Sequence, residues 1–330
     1  MVATAPDGAT IDISYDSVII ATGTVSKSPL FSCVGSETLT KQALRDLHAS
    51  LAKARSVLVA GGGPVGVETA AELGAELDSS KEITLLSGGE RVLSHLDPRS
   101  SAEAQRRLER LGVTVRHKTR TVSTSAVNEA TRVLFDNGEE AVVDVYIDAT
   151  GNRPCSAFLP SEWLDTAGFV KTEVSTLRVE APTSGSVEVQ PLSVYAFGSV
   201  TSFSNGSYFD VSGAVKPLAE SLRLDQIARQ ESESESRSNQ DDDLNAEKTM
   251  AAPSGTTSWC WSFLPFMGGT PKRKLEYSSR SLMQFVPVGR DGGVGVVLGW
   301  RVPSLLVYVG KAKTFMMENI KPLVEGADYK

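Results

Sequence analysis

The sequence has three cysteines, Cys33, Cys155 and Cys260, and none of them stands in a Cys-x-x-Cys pair. Neither a redox dithiol nor a zinc cage is therefore written locally. Histidine is as scarce: His48, His95 and His117 stand apart, without the neighbouring serine or cysteine pattern of a nucleophile relay, and each reads as a surface or internally satisfied residue. No metal site is expected. No apolar run approaches the roughly 20 residues of a membrane span, and the first residues carry neither a basic stretch nor an apolar segment with a cleavage signal. The expected setting is soluble and cytoplasmic. Basic residues are in deficit, with a formal net charge of −7 and a pI near 5.2, which argues against a nucleic-acid partner held through phosphates.

What is present is enough chain, 330 residues, for about two domains with substantial cores. Thr10 to Ser14 reads as a strand paired upstream or across a turn, and Ser17 to Ala21 as the second strand of a short hairpin. Leu44, Leu47 and Leu51 repeat at helical spacing within 40–53, and the apolar run Ser56 to Ala60 leads straight into Gly61-Gly62-Gly63-Pro64-Val65-Gly66. Helix formers follow to Leu77, then an apolar strand from Ile83 to Leu86. Asp97-Pro98 reads as an N-cap with proline at the first helical position, opening a helix that ends before Gly112. Val113 to Arg116 is a third strand, Asp136-Asn137-Gly138 turns a hairpin, and Val145 to Ala149 is a strand closed by Thr150-Gly151. A strand from Val194 to Phe197 and a helix from Ser212 to Gln230 complete the regular part. Residues 229–258, including ESESESRSNQDDD, are polar and acidic enough to be expected without order.

The glycine pattern Gly61-x-Gly63-x-x-Gly66 follows a strand and opens a helix, which is the context a dinucleotide-binding turn needs. One glycine allows the tight turn, the next lets backbone approach a pyrophosphate, and the last lets helix and strand pack closely. The pyrophosphate then meets the free N–H groups and dipole of the helix N-terminus. Glu68, in the first turn of that helix, is a further candidate. The end of the second strand normally separates NAD from NADP, an acid bonding the ribose 2′-hydroxyl and a base the 2′-phosphate. Here the strand ends in Ser87-Gly88-Gly89-Glu90-Arg91, so Ser87 fits either nucleotide and Arg91 the phosphorylated one.

YDSVIIATGT (15–24), VLVAGGGPVGVETAAEL (57–73), YIDATGNRP (146–154), VYAFGSV (194–200) and VPVGRDGGVGVVLGWRVPS (286–304), in that order, resemble the apoptosis-inducing-factor-like branch, fungal type, of the pyridine nucleotide-disulfide oxidoreductase superfamily. The resemblance implies an α/β fold, a Rossmann-like NAD(P)-binding domain nested in a partial FAD-binding domain of the two-dinucleotide-binding flavoprotein type. It implies NAD(P)H held by Gly61, Gly62, Gly63, Pro64, Val65, Gly66, Glu68, Ser87, Arg91, Thr150 and Gly151, and FAD held by Ala21, Thr22, Gly23, Gly198 and Ser199. Hydride would pass from nicotinamide to flavin, and electrons on to a quinone or other acceptor, with the cofactors carrying the chemistry. The family's own first Gly-x-Gly-x-x-Gly, about a hundred residues before the second, is not in this chain, and Ser199 stands where the family has aspartate. Both lead us to expect weak FAD retention by this chain alone.

The expected division is 1–34 as the remnant of the FAD domain, 35–148 as the NAD(P) domain and 149–228 as the return to the FAD type, then 229–258 as an acidic insertion and 259–330 as a C-terminal extension. Three functions fit this reading: an NAD(P)H oxidoreductase, a catalytically inactive NAD(P)-binding module, and a membrane-surface or partner-docking protein. The last draws on Trp300, Leu305, Leu306, Tyr308, Phe315 and Met316 beside Lys311 and Lys313. Between residues 271 and 330 there are ten Lys or Arg against five Asp or Glu.

Overall fold

The computed structural model describes residues 2–4, 7–33, 35–180, 193–204, 206–249, 283–315 and 317. They fall into two compact units, Met1–Ala21 with Leu159–Ser279, and Thr22–Phe158 with Arg280–Lys330.

The second unit is built on helix α1 (Glu37–Lys53), strand β1 (Ser56–Ala60), helix α2 (Pro64–Glu76), strand β2 (Glu82–Ser87), helix α3 (Pro98–Arg110) and strand β3 (Val113–His117). Strands β4 (Thr121–Val127), β5 (Ala130–Phe135), β6 (Glu140–Val143) and β7 (Val145–Asp148) follow. The central sheet runs β7-β1-β2-β3, every pair parallel. It is apolar on both faces because both are covered. Val57, Val59, Ile83 and Leu85 pack among Val67, Ala70, Ala71, Ala104 and Leu108 of the helices, while the alternate residues Leu58, Ala60 and Leu86 pack on Val133 and Phe135. Val133 and Phe135 belong to the antiparallel sheet β6-β5-β4, whose turn is made by Gly138 at φ +84°. β4 went unforeseen: TVSTSAV has no apolar alternation and is mostly exposed, so it is a strand because β5 pairs with it, not because of what it buries.

After these come β8 (Met283–Pro287), β9 (Gly293–Val297) and β10 (Trp300–Arg301), a small antiparallel sheet. Val286, Val288 and Val294 join the same core as α2 and α3. Part of the segment expected as a C-terminal extension thus packs on the helical face of the nucleotide-type unit. Among the described residues, no helix is long and apolar enough to cross a membrane.

In the first unit, Val2–Thr4 pairs antiparallel with Thr10–Asp12, the upstream alternative. Val18–Ile20 does not form the expected hairpin: it pairs parallel with Val194–Ala196, because Ile20 buries itself with Val170, Val194, Ala196 and Val200. Helix Tyr208–Thr249 begins before the expected Ser212 and carries Pro217 in its interior. It is fixed by Asp225, whose carboxylate accepts from both Arg178 and the Tyr195 hydroxyl. The stretch expected to lack order is helical as far as Thr249, and 250–258 lies outside the described residues. Glu, Gln, Arg and Ala favour helix, and a helix satisfies its backbone internally even where it buries little.

Asp97 caps α3 as the sequence suggests, Oδ1 accepting from the N–H groups of Arg99 and Ser100 at 3.0 and 3.1 Å. Burial would raise its carboxyl, but the hydrogen bonds from Ser100 and Arg99 outweigh it and hold Asp97 below the ordinary aspartate range. A depressed acid stabilises above its unfolded value and loses that contribution as pH falls through the folded one. Asp97→Ala should cost about 1 kcal/mol near neutral pH in urea unfolding, with the difference from wild type shrinking in acid; an equal deficit at both pH values would refute the charged cap.

Candidate functional site

The sheet order β7-β1-β2-β3 places a topological switch between β1 and β7, the point where an open α/β sheet leaves a crevice at its carboxyl end. Gly61, Gly62 and Gly63 leave β1 there, and Ala149, Thr150 and Gly151 leave β7. Ala149 N–H ties the end of β7 to Ala60 O of β1 at 2.8 Å, and Gly61 N–H ties the end of β1 to Leu86 O of β2 at 2.9 Å.

The glycines meet different constraints. Gly61 sits at φ +123°, and a Cβ there would lie 2.2 Å from Ala149 O. A Cβ on Gly66 would lie 1.8 Å from Gly61 O, so this residue lets α2 start directly over the turn. Gly63 is the opposite case: it is the N-cap of α2 with extended backbone, it brings no capping side chain, and nothing stands within 4 Å of a Cβ built on it. The first-turn N–H groups of α2 have no intrahelical acceptors, and Pro64 occupies the position where a missing N–H costs nothing.

A cleft of about 470 Å³ opens at this point, within the range of about 300–1,000 Å³ for small-molecule sites. Of the residues singled out from sequence, Gly61, Gly62, Gly63, Ser87, Arg91, Thr150 and Gly151 line it. Pro64, Val65 and Gly66 form the first turn of α2. The Ser87 side chain is buried and donates to Arg91 O at 3.0 Å. Arg91 is held by its own loop, its guanidinium donating to Ser94 O at 3.0 Å and Leu96 O at 3.3 Å. Thr150 donates to Asp148 Oδ1 at 2.6 Å and accepts from Lys27 Nζ at 3.1 Å.

Lys27, His95, Thr119, Arg120 and Thr121 also line the cleft and were not singled out from the sequence. They come from three separate stretches of chain, around Lys27, around His95, and Thr119 to Thr121. Arg120 follows β3, and it reaches the end of β2 only because Ser87 pairs with His117 and its carbonyl accepts from Thr119 N–H. Burial holds the His95 imidazole below its usual range, against an opposing hydrogen bond with Gln284 Oε1 at 3.0 Å.

Glu68 lies outside this cleft. It receives Lys311 Nζ at 2.6 Å, with both side chains about a quarter exposed or less, at 19% and 26%. Burial raises its carboxyl above the ordinary glutamate range in spite of Lys311. The same contact settles where Lys311 points. Trp300, Leu305 and Leu306 are exposed, and Met316 lies outside the described residues.

The FAD candidates divide between the units. Ala21, Gly198 and Ser199 belong to the first, where Gly198 turns the chain at φ +79° after Val194–Ala196 and its carbonyl accepts from Thr201. Thr22 and Gly23 belong to the second, and both bond Cys155: Thr22 Oγ1 donates to its carbonyl at 2.7 Å and its N–H donates to Gly23 O at 2.9 Å.

A parallel sheet with a glycine turn at its switch point defines a Rossmann-type dinucleotide-binding protein. The chain belongs to the pyridine nucleotide-disulphide oxidoreductase family, whose sequence pattern matches residues 2–230; FAD and NAD(P)H are the cofactors of that family. It is 39% identical over 169 residues to oxidoreductase ptaL of Pestalotiopsis fici, a match covering 51% of this chain and 45% of that protein. It is 27% identical to oxidoreductase phnG of Penicillium herquei, over 97% of this chain and 72% of that protein. The chain thus spans less than half of the first relative's length. LpdA from Mycobacterium tuberculosis is similar in structure at a TM-score of 0.49 and 20% identity, over 68% of this chain and 45% of that one.

Gly66→Ala should destabilise the chain by about 1–3 kcal/mol or more, as overpacking against backbone does. Gly89→Ala, whose Cβ would meet nothing closer than 3.9 Å, should leave thermal unfolding near wild type. Equal melting curves for the two would contradict the close approach at Gly66. Lys311→Met should cost roughly 1–3 kcal/mol near neutral pH, the range for a hydrogen bond to a charged group. It should also raise the Glu68 carboxyl further, so the deficit fades as pH falls through that raised value and Glu68 becomes neutral in both states. A pH-independent deficit in urea titrations would assign the loss to packing instead.

Proposed function

We propose that the protein is a flavin-dependent NAD(P)H oxidoreductase whose nicotinamide dinucleotide is held in the cleft between the ends of β1 and β7. The observation that carries this reading is the open space over Gly63, next to uncapped N–H groups of α2, in a cleft whose described lining holds no carboxylate. These are the features an anionic pyrophosphate requires. Thr150 and Lys27, bonded to each other at the end of β7, would orient the part of the nucleotide beyond the pyrophosphate. Bound together, the two dinucleotides of the family supply the redox chemistry, and the protein supplies their placement.

Family membership supports flavin as the second cofactor, and the resemblance in motif order supports a quinone or another acceptor. We place FAD at the turn after Val194–Ala196, where Gly198 and Ser199 follow the strand, and expect it to be held weakly because Ser199 offers a neutral contact.

Gly63→Ala separates binding from folding. The methyl group enters open space and needs no left-handed backbone, so the melting curve should stay near wild type while NAD(P)H affinity falls by about tenfold or more, on the order of 1.4 kcal/mol. Unchanged affinity would remove the pyrophosphate from this turn. For the activity itself, the visible spectrum of the chain reconstituted with FAD should show a flavin band that bleaches when NADH or NADPH is added without oxygen. A colourless chain that still binds the nucleotide would replace the oxidoreductase with a nucleotide-binding module.

A further inference from the structure

The end of β2 is where a Rossmann domain meets the adenosine ribose, and a carboxylate there is the usual partner of an unphosphorylated 2′-hydroxyl. None of the described residues lining this cleft is acidic. Glu90, the nearest acid in sequence, is paired with Lys118 at 3.0 Å, and both are well exposed. The Ser87 hydroxyl is committed to Arg91 O, and the Arg91 guanidinium to two loop carbonyls.

Arg120 is the group left over. Its backbone is clamped on both sides by Asp136: its N–H donates to Asp136 Oδ1 at 2.9 Å, and its carbonyl accepts from Asp136 N–H at 2.9 Å. Its side chain lies across the bare backbone of Gly88, since a Cβ built there would stand 2.9 Å from Arg120 Cγ and 3.0 Å from Nε. Among the described residues its guanidinium has neither an ion pair nor a hydrogen-bond partner. A fixed main chain, a planar donor fork and no internal acceptor match the needs of a phosphate group.

We propose that the cleft selects the 2′-phosphorylated nucleotide, NADPH over NADH, and that Arg120 binds the 2′-phosphate. The inference rests on the nucleotide reading above and adds to it the chemical class of the nucleotide and the residue that chooses it. Arg91, the basic residue that the sequence offered for this role, serves to hold its own loop.

Titration calorimetry of the full chain with NADPH, NADH, adenosine 2′,5′-bisphosphate and ADP tests it. NADPH should bind at least about tenfold more tightly than NADH, the size of one charge-assisted contact, and the bisphosphate should bind more tightly than ADP. Arg120→Ala should lower the NADPH-to-NADH affinity ratio by about tenfold, and Arg120→Lys should keep part of it. A ratio near one in the wild type, or one that Arg120→Ala leaves intact while NADH still binds, overturns the assignment and leaves the nucleotide reading standing. Binding of none of the four ligands overturns both.

Discussion

The second unit depends on one backbone crossing. Gly61 O lies where a Cβ on Gly66 would be, and Ala149 O lies where a Cβ on Gly61 would be. Three chain segments, the end of β1, the start of α2 and the end of β7, therefore meet with no side chain between them. That approach lets α2 lie on the sheet closely enough for Val67, Ala70 and Ala71 to be fully buried, and small residues at 70 and 71 follow from the same short distance. It also aims the N-terminus of α2 at the switch point of the sheet, so packing and the anion-facing character of the cleft have one cause.

The cleft's electrostatics follow from how its charges are spent. Lys27 is engaged with Thr150, Arg91 with loop carbonyls, and Glu90 with Lys118. Burial holds the His95 imidazole below its usual range, against the hydrogen bond with Gln284. A chain with a net charge of −7 thus presents a locally basic cleft, since no described carboxylate lines it. Global charge and site charge have opposite signs because a site's potential is set by the few groups within a Debye length of about 8–10 Å.

The C-terminal segment shows how position changes the meaning of a residue. Read as a string, Lys311 beside Trp300, Leu305 and Leu306 looks like half of an amphipathic surface. In the fold, Lys311 crosses to Glu68, 243 residues away in the chain, and Val286, Val288 and Val294 complete the core under α2 and α3. Glu68, which sequence alone could place only near the helix N-terminus, is a partner in that internal contact.

What the sequence determined by itself was local: β1, the glycine turn, the Asp97-Pro98 cap and the Asn137-Gly138 hairpin each follow from residues within a few positions of one another. These short-range signals were enough to place the glycine turn and to name seven of the residues that line the cleft; the switch point beside it came from the pairing of β7 with β1. Only the tertiary structure decided the rest. The pairing of Val18–Ile20 with Val194–Ala196, the strand status of Thr121–Val127, and the arrival of Arg120 at the end of β2 all require partners far away in sequence, and no local pattern encodes a distant partner. The helix that continues to Thr249 is the complementary case: a composition poor in apolar residues denies a segment a core, but it does not deny it the internally satisfied backbone of a helix.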